Sequence, residues 1–142
     1  MLKTLFVFGT RPEAIKLAPV IRELRTRPHE FDVRIAVTAQ HRQMLDQVLA
    51  VFHLVPDYDL NVMQPGQTLA ALTARALSAL EPVMAEVRPD LVYVQGDTTT
   101  TLAGALTAFY ARCPVAHVKR GFAPAICRSP FRRNSTGCWW GD

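Results

Sequence analysis

No stretch of this chain is apolar for the roughly 20 residues that a membrane-spanning helix requires, so a transmembrane segment is not expected. Neither a G-x-G-x-x-G fingerprint nor a P-loop occurs. The first of these absences counts against a tightly bound nicotinamide or flavin. Cysteine is sparse: Cys113, Cys127 and Cys138 make an odd number without metal-ligand spacing. That usage suits a reducing compartment and points to neither a disulfide framework nor a metal site. The start, Met1-Leu-Lys-Thr, passes directly into a strand pattern and leaves no room for a signal peptide, so a cytoplasmic location is expected.

A charge excess is also missing from most of the chain. Residues 1–118 hold 11 Lys and Arg against 11 Asp and Glu. The net charge of +4 therefore arises wholly within residues 119–142, from Lys119, Arg120, Arg128, Arg132 and Arg133 against Asp142. Both Trp residues and two of the three Cys fall in the same segment. A basic balance confined in this way argues against a nucleic-acid surface. It marks a boundary near residue 118.

What the chain does contain is an alternation of strand and helix patterns. At 142 residues it is long enough for one domain with a substantial core. Leu2–Gly9 reads as a buried strand. Thr10-x-x-Glu13 is a capping-box pattern with Pro12 in the first turn, and it opens a helix with Ile15, Ala18, Ile21 and Leu24 on one face to about Arg25. Pro19 is expected to kink that helix or loosen a turn. A second strand over Phe31–Thr38 leads to a helix over Arg42–Phe52 with Leu45, Val48, Leu49 and Phe52 inward. Tyr58–Val62 reads as a short third strand. Thr68–Val87 follows as a long helix presenting Leu69, Leu72, Leu77, Leu80, Val83, Met84 and Val87. Leu91–Gln95, Thr98–Arg112 and Pro114–Val118 complete the series as strand, helix and strand. This order predicts an α/β fold, a doubly wound parallel sheet with helices on both faces.

In such sheets the first and fourth strands are usually neighbours, and ligands bind at the carboxyl ends where the strand order reverses. The corners Gly9-Thr-Arg11 and Gly96-Asp97-Thr98 would then flank one crevice. Helix N-termini there offer free N–H groups to phosphate oxygens. Arg11 adds a planar fork and Lys16 a point charge; the strand-to-helix position favours a functional role over two merely solvated cations. Asp97 admits two readings: a helix cap or first-turn residue contributing on the order of 1 kcal/mol, or a general acid/base. Thr98–Thr101 are helix-start hydroxyls, one or two of which could bond a ligand. His41 ends the second strand near the crevice, while His53 and His117 carry no assignment.

Four motifs then carry a resemblance: Gly9-Thr-Arg-Pro-Glu-Ala-Ile-Lys16, Thr38-Ala-Gln-His-Arg-Gln-Met-Leu-Asp-Gln47, Pro56-Asp-Tyr-Asp-Leu-Asn61 and Gly96-Asp-Thr-Thr-Thr-Thr101. In this order they resemble the non-hydrolysing UDP-N-acetylglucosamine 2-epimerases. The resemblance implies a Rossmann-like N-terminal half of a two-domain glycosyltransferase-B type fold, with the active site between the halves. It implies an isomerase that interconverts UDP-N-acetylglucosamine and UDP-N-acetylmannosamine by UDP elimination and re-addition, for bacterial surface polysaccharide, without a cofactor and as a homodimer. Arg11 and Lys16 match basic substrate-site positions and Asp97 a catalytic carboxylate. Gln40 and Gln43 match positions touching a second, activating UDP-N-acetylglucosamine; Gly66 stands where that site is associated with an Arg. The hydrolysing relative and a non-catalytic nucleotide-sugar binding fragment are the alternatives.

The resemblance stops at Lys119. The family continues H-V-E-A-G-L-R-T-G and later P-E-E-x-N-R, whereas this chain has Lys119 and Arg133 where two family carboxylates would stand. Restoring one G ahead of codon 119 in a back-translation recovers E-A-G-L-R-T-G-D-L, and the same shift recovers P-E-E-F-N-R. Residues 1–118 are therefore read as the epimerase domain. Residues 119–142 are read as an out-of-frame tail, expected to be poorly ordered, and the chain as a truncated, inactive one.

Overall fold

The computed structural model describes residues 1–118 and 125–127. Strands and helices alternate along the chain: β1 (Leu2–Phe8), α1 (Arg11–Arg25), β2 (Phe31–Val37), α2 (Arg42–Val51), β3 (Tyr58–Asp59), α3 (Leu69–Val87), β4 (Leu91–Gln95), α4 (Thr99–Tyr110), β5 (Val115–Val118) and β6 (Ala125–Cys127). They form one sheet in the order β3-β2-β1-β4-β5-β6. The first five strands pair in parallel, and β6 lies antiparallel on β5. β1 and β4 are neighbours, as the sequence predicts, with Thr4, Leu5 and Phe6 facing Leu91, Val92 and Tyr93. The order reverses there, and the corners that follow both strands leave the sheet at the same rim.

Successive side chains of β1 point to opposite faces, and this builds two cores. Phe6 and Phe8 join Leu17, Ile21, Ile35 and Leu45 under α1 and α2. Leu5 and Val7 join Leu80, Val83, Val92, Val94 and Ala103 under α3 and α4. Phe6 also stacks on Tyr93 of the adjacent strand, with ring centroids 4.5 Å apart.

Several expectations need correction. The buried stripe of α1 is Ala14, Leu17, Ala18 and Ile21, an i, i+3, i+4, i+7 pattern; Ile15 sits one residue off it and is exposed. α1 continues past Pro19, which lies on its exposed side, to Arg25 as expected. Leu69, the first residue of α3, is exposed as well. β3 is two residues long because Asn61 takes a left-handed backbone (φ 44°) that no extended strand accommodates. The reading of residues 119–142 as a poorly ordered tail lies, for 119–124 and 128–142, outside the described residues. Within it Ala125–Cys127 forms β6, an edge strand that the sequence reading did not anticipate.

Candidate active site

The first corner requires Gly9. A Cβ there would collide with the Thr38 hydroxyl and approach the Thr100 hydroxyl to 2.7 Å, so only a bare backbone lets β1, β2 and α4 converge. The two hydroxyls bond each other at 2.7 Å. Gln40, just past β2, donates its N–H to the Gly9 carbonyl at 3.0 Å. Its side-chain oxygen lies 3.4 Å from the Thr100 hydroxyl. The fourth corner requires Gly96 for a different reason: its φ of +86° is the left-handed region that favours glycine. That turn swings the chain out of β4, exposes Asp97 and delivers Thr98 as the N-cap of α4.

Glu13 joins the corners. It is 2 % exposed. Its Oε2 accepts the Gly9 and Thr10 N–H groups at 2.8 and 2.9 Å. Its Oε1 accepts the Thr98 hydroxyl and lies 3.2 Å from the Thr101 hydroxyl. The Thr101 hydroxyl also lies 2.8 Å from the Gln95 carbonyl, so its one proton serves two acceptors. The Gln95 side chain is itself buried at the end of β4. With its amide oxygen turned to the available donors, it accepts the Gly96 N–H and the Lys16 ammonium, each at 3.2 Å. His117 Nε2 sits 2.8 Å from the Gly96 carbonyl and supports the same turn from β5.

The expected residues therefore distribute as follows. Arg11 and Asp97 are exposed, and neither side chain makes a hydrogen bond or ion pair with any described residue. Lys16 is exposed along its stem while its ammonium reaches Gln95, which lies next to the Asp97 turn. Gln40 is half-buried against Gly9, on the β2 side of the site. Gln43 is exposed in the first turn of α2 and makes no hydrogen bond to a described residue. His41 is the exposed residue preceding α2. Its neighbour Arg42 forms a bidentate pair with Asp59, 2.8 Å at both oxygens, and reaches Asn61 at 3.1 Å. The hydrogen bond to Arg42 holds the Asp59 carboxyl below its usual range. Gly66 takes a left-handed turn (φ 70°) in an exposed loop.

One expectation fails here and another narrows. The Gly9 and Thr10 amides are not open to a phosphate, because Glu13 already occupies them. Of the helix-start hydroxyls, those of Thr98, Thr100 and Thr101 are engaged inside the fold, which leaves Thr99 as the one still available to a ligand. The cap reading of Asp97 also falls, since Thr98 caps α4 and accepts the Thr101 N–H at 3.3 Å. Sequence reasoning saw Gln95 only as the end of a strand, left His117 without an assignment and saw Glu13 only as half of a capping box. Among the described residues no cluster of His, Cys, Asp and Glu could hold a metal ion. Among the described residues the rim thus presents an unpaired carboxylate, an unpaired guanidinium and an ammonium on a buried, hydrogen-bonded base. Such an arrangement suits an anionic ligand that undergoes proton transfer.

A family model described as UDP-N-acetylglucosamine 2-epimerase matches residues 22–124. The chain belongs to the UDP-N-acetylglucosamine 2-epimerase family. It is 56% identical over 130 residues to the UDP-N-acetylglucosamine 2-epimerase of Salmonella typhimurium, covering 92% of this chain and 34% of that protein. A Neisseria meningitidis UDP-GlcNAc 2-epimerase solved with UDP-GlcNAc bound is 52% identical, with a TM-score of 0.79 over 84% of this chain and 32% of that one. The Methanocaldococcus jannaschii UDP-GlcNAc 2-epimerase in complex with UDP-GlcNAc and UDP is 39% identical, with a TM-score of 0.77 over 84% of this chain and 33% of that one. The chain spans about a third of the length of the curated epimerases it matches. Its sheet is the Rossmann-like α/β fold shared with these epimerase structures.

Proposed function

We propose that residues 1–118 are the N-terminal nucleotide-sugar half of an epimerase that interconverts UDP-N-acetylglucosamine and UDP-N-acetylmannosamine. The observation that carries this reading is the pairing, across adjacent parallel strands, of an exposed Asp97 that has no partner among the described residues with a corner bearing Arg11 and Lys16. In this mechanism UDP departs by elimination, leaving a 2-acetamidoglucal, and re-adds with the opposite configuration at C2. Asp97 moves a proton at or near C2. Arg11 and Lys16 offset the charge that develops on the departing diphosphate. Gln40 and Gln43, beside β2, are assigned to a second, activating UDP-N-acetylglucosamine.

The same reading places the protein in the cytoplasm, in bacterial surface polysaccharide synthesis, as a homodimer when whole. It takes residues 119–142 as the product of a one-nucleotide loss, and the chain alone as inactive. Sequencing the gene through codon 119 tests the tail: an intact frame refutes it. For the site, UDP-N-acetylglucosamine is titrated into isotope-labelled protein, and shifts are expected at Arg11–Lys16 and Gly96–Asp97. A spectrum that does not move at either corner overturns the reading. In the frame-restored full-length protein, turnover in D2O is expected to place deuterium at C2. Release of free N-acetylmannosamine instead would identify the hydrolysing relative.

A further inference from the structure

Among the described residues, Glu13 is the one charged side chain that is buried. A carboxylate out of water is costly unless its oxygens are fully met. A helix cap alone explains half of what meets this one. The Gly9 and Thr10 N–H groups, three and four residues away, satisfy Oε2. Oε1 faces away from its own helix start, toward Thr98 and Thr101, which are 85 and 88 residues distant in the chain. Two helix starts, each the positive end of a dipole, thus converge on one internal anion. In other crevices of this type a bound phosphate takes that place.

Both corners hang on this carboxylate. Gly9 and Thr10 immediately precede Arg11, and Glu13 itself lies three residues before Lys16 on the same helix. Thr98 immediately follows Asp97. Gly96, whose left-handed turn aims Asp97, faces the Glu13 side chain, so that a Cβ there would lie 3.7 Å from the Glu13 Cγ. We propose that Glu13 is a positioning residue: its carboxylate is a built-in anion that latches the Arg11–Lys16 corner to the Asp97 corner and so sets the spacing of the basic and acidic groups. A consequence is that a diphosphate on this half is met by side chains at the first corner rather than by the Gly9 and Thr10 amides. The role in spacing rests on the nucleotide-sugar reading of the site; the latch itself does not.

The test compares wild-type chain, Glu13→Ala and Glu13→Gln by residue-resolved amide hydrogen exchange, with sodium formate or sodium chloride at equal ionic strength. It then titrates each protein with UDP-N-acetylglucosamine. In Glu13→Ala, exchange at Gly9 and Thr10 is expected to accelerate by about tenfold or more, because their N–H groups lose a charged acceptor, and exchange at Thr101 is expected to accelerate with them, because its N–H is accepted by the Thr98 hydroxyl that Glu13 holds in place. Amides in the middle of β1 and β4 should keep their protection. Formate, a carboxylate small enough for the vacated space, should restore slow exchange at both corners and nucleotide-sugar affinity together, whereas chloride should not. Acceleration confined to Gly9 and Thr10 would reduce Glu13 to a cap and overturn the latch, as would loosening of both corners that formate leaves unchanged. Should Glu13→Ala fail to fold, Glu13→Gln decides: one acceptor oxygen in place of two should give a smaller acceleration at both corners, and wild-type exchange there would refute the proposal. If the exchange results hold while wild-type chain ignores UDP-N-acetylglucosamine, the latch stands and the substrate reading falls.

Discussion

The two strand-to-helix corners at the rim use the same kinds of residue in opposite ways. At the first, a carboxylate turns inward: Glu13 is buried on the amides of its own helix start, and the cations Arg11 and Lys16 are left outside. At the fourth, a carboxylate turns outward: Thr98 takes the capping position, and Asp97 is left exposed, without a partner among the described residues. Each corner has one glycine, but Gly9 answers a steric demand and Gly96 a conformational one. On the proposed function, the difference separates a structural acid from a reactive one. The residue that stabilises the helix starts is buried and saturated with donors. The residue proposed for the chemistry is the one the cap leaves over.

The largest expected effect comes from closing the space at the first corner. Gly9→Ala forces the Thr38 and Thr100 hydroxyls apart and breaks their hydrogen bond, and should lower stability by about 2–3 kcal/mol. A urea unfolding midpoint reads this directly, and a change under about 0.5 kcal/mol would mean that the corner relaxes freely. Thr98→Ala at the fourth corner removes the α4 cap and one donor to Glu13, with an expected cost of about 1–2 kcal/mol. If Thr98 acts through Glu13, a Thr98→Ala, Glu13→Gln double-mutant cycle should depart from additivity by more than about 0.5 kcal/mol. Thr38→Val, which leaves the Thr100 hydroxyl buried against the Gln40 amide alone, should cost about 1 kcal/mol.

Much of this comparison was legible in the sequence, and the part that was not has a physical reason. The strands and helices followed from periodicity. The neighbouring of β1 and β4 followed from the strand order that right-handed crossovers favour in doubly wound sheets. Glu13 was misjudged because Thr10-x-x-Glu13 is already a complete local explanation; the second set of partners arrives only when the sheet brings Thr98 and Thr101 alongside. Asp97 and Thr98 are both good capping types, and a linear pattern does not say which one occupies the cap. That choice is made by the left-handed turn at Gly96. Gln95 read as the last residue of a buried strand, and nothing local announces that its amide meets an ammonium from another helix. Ile15 and Leu69 show the reverse error, where an apolar residue near a helix start was counted into a buried stripe that runs beside it.

The smallest effect on stability, and the sharpest contrast with its neighbour, is expected at Asp97. Asp97→Asn alters an exposed side chain that bonds no described residue, so the unfolding midpoint should stay within about 0.5 kcal/mol of wild type. Thr98→Ala, one position along, should not share that tolerance. In the frame-restored full-length protein the order should invert. Asp97→Asn removes proton-transfer help typically worth about 10²–10⁴-fold, while Thr98→Ala acts only through the placement of the turn. A loss of more than about 1 kcal/mol in Asp97→Asn would show that the outward carboxylate has a structural task after all. The division between a buried acid that holds the rim and an exposed acid that works there would then fail.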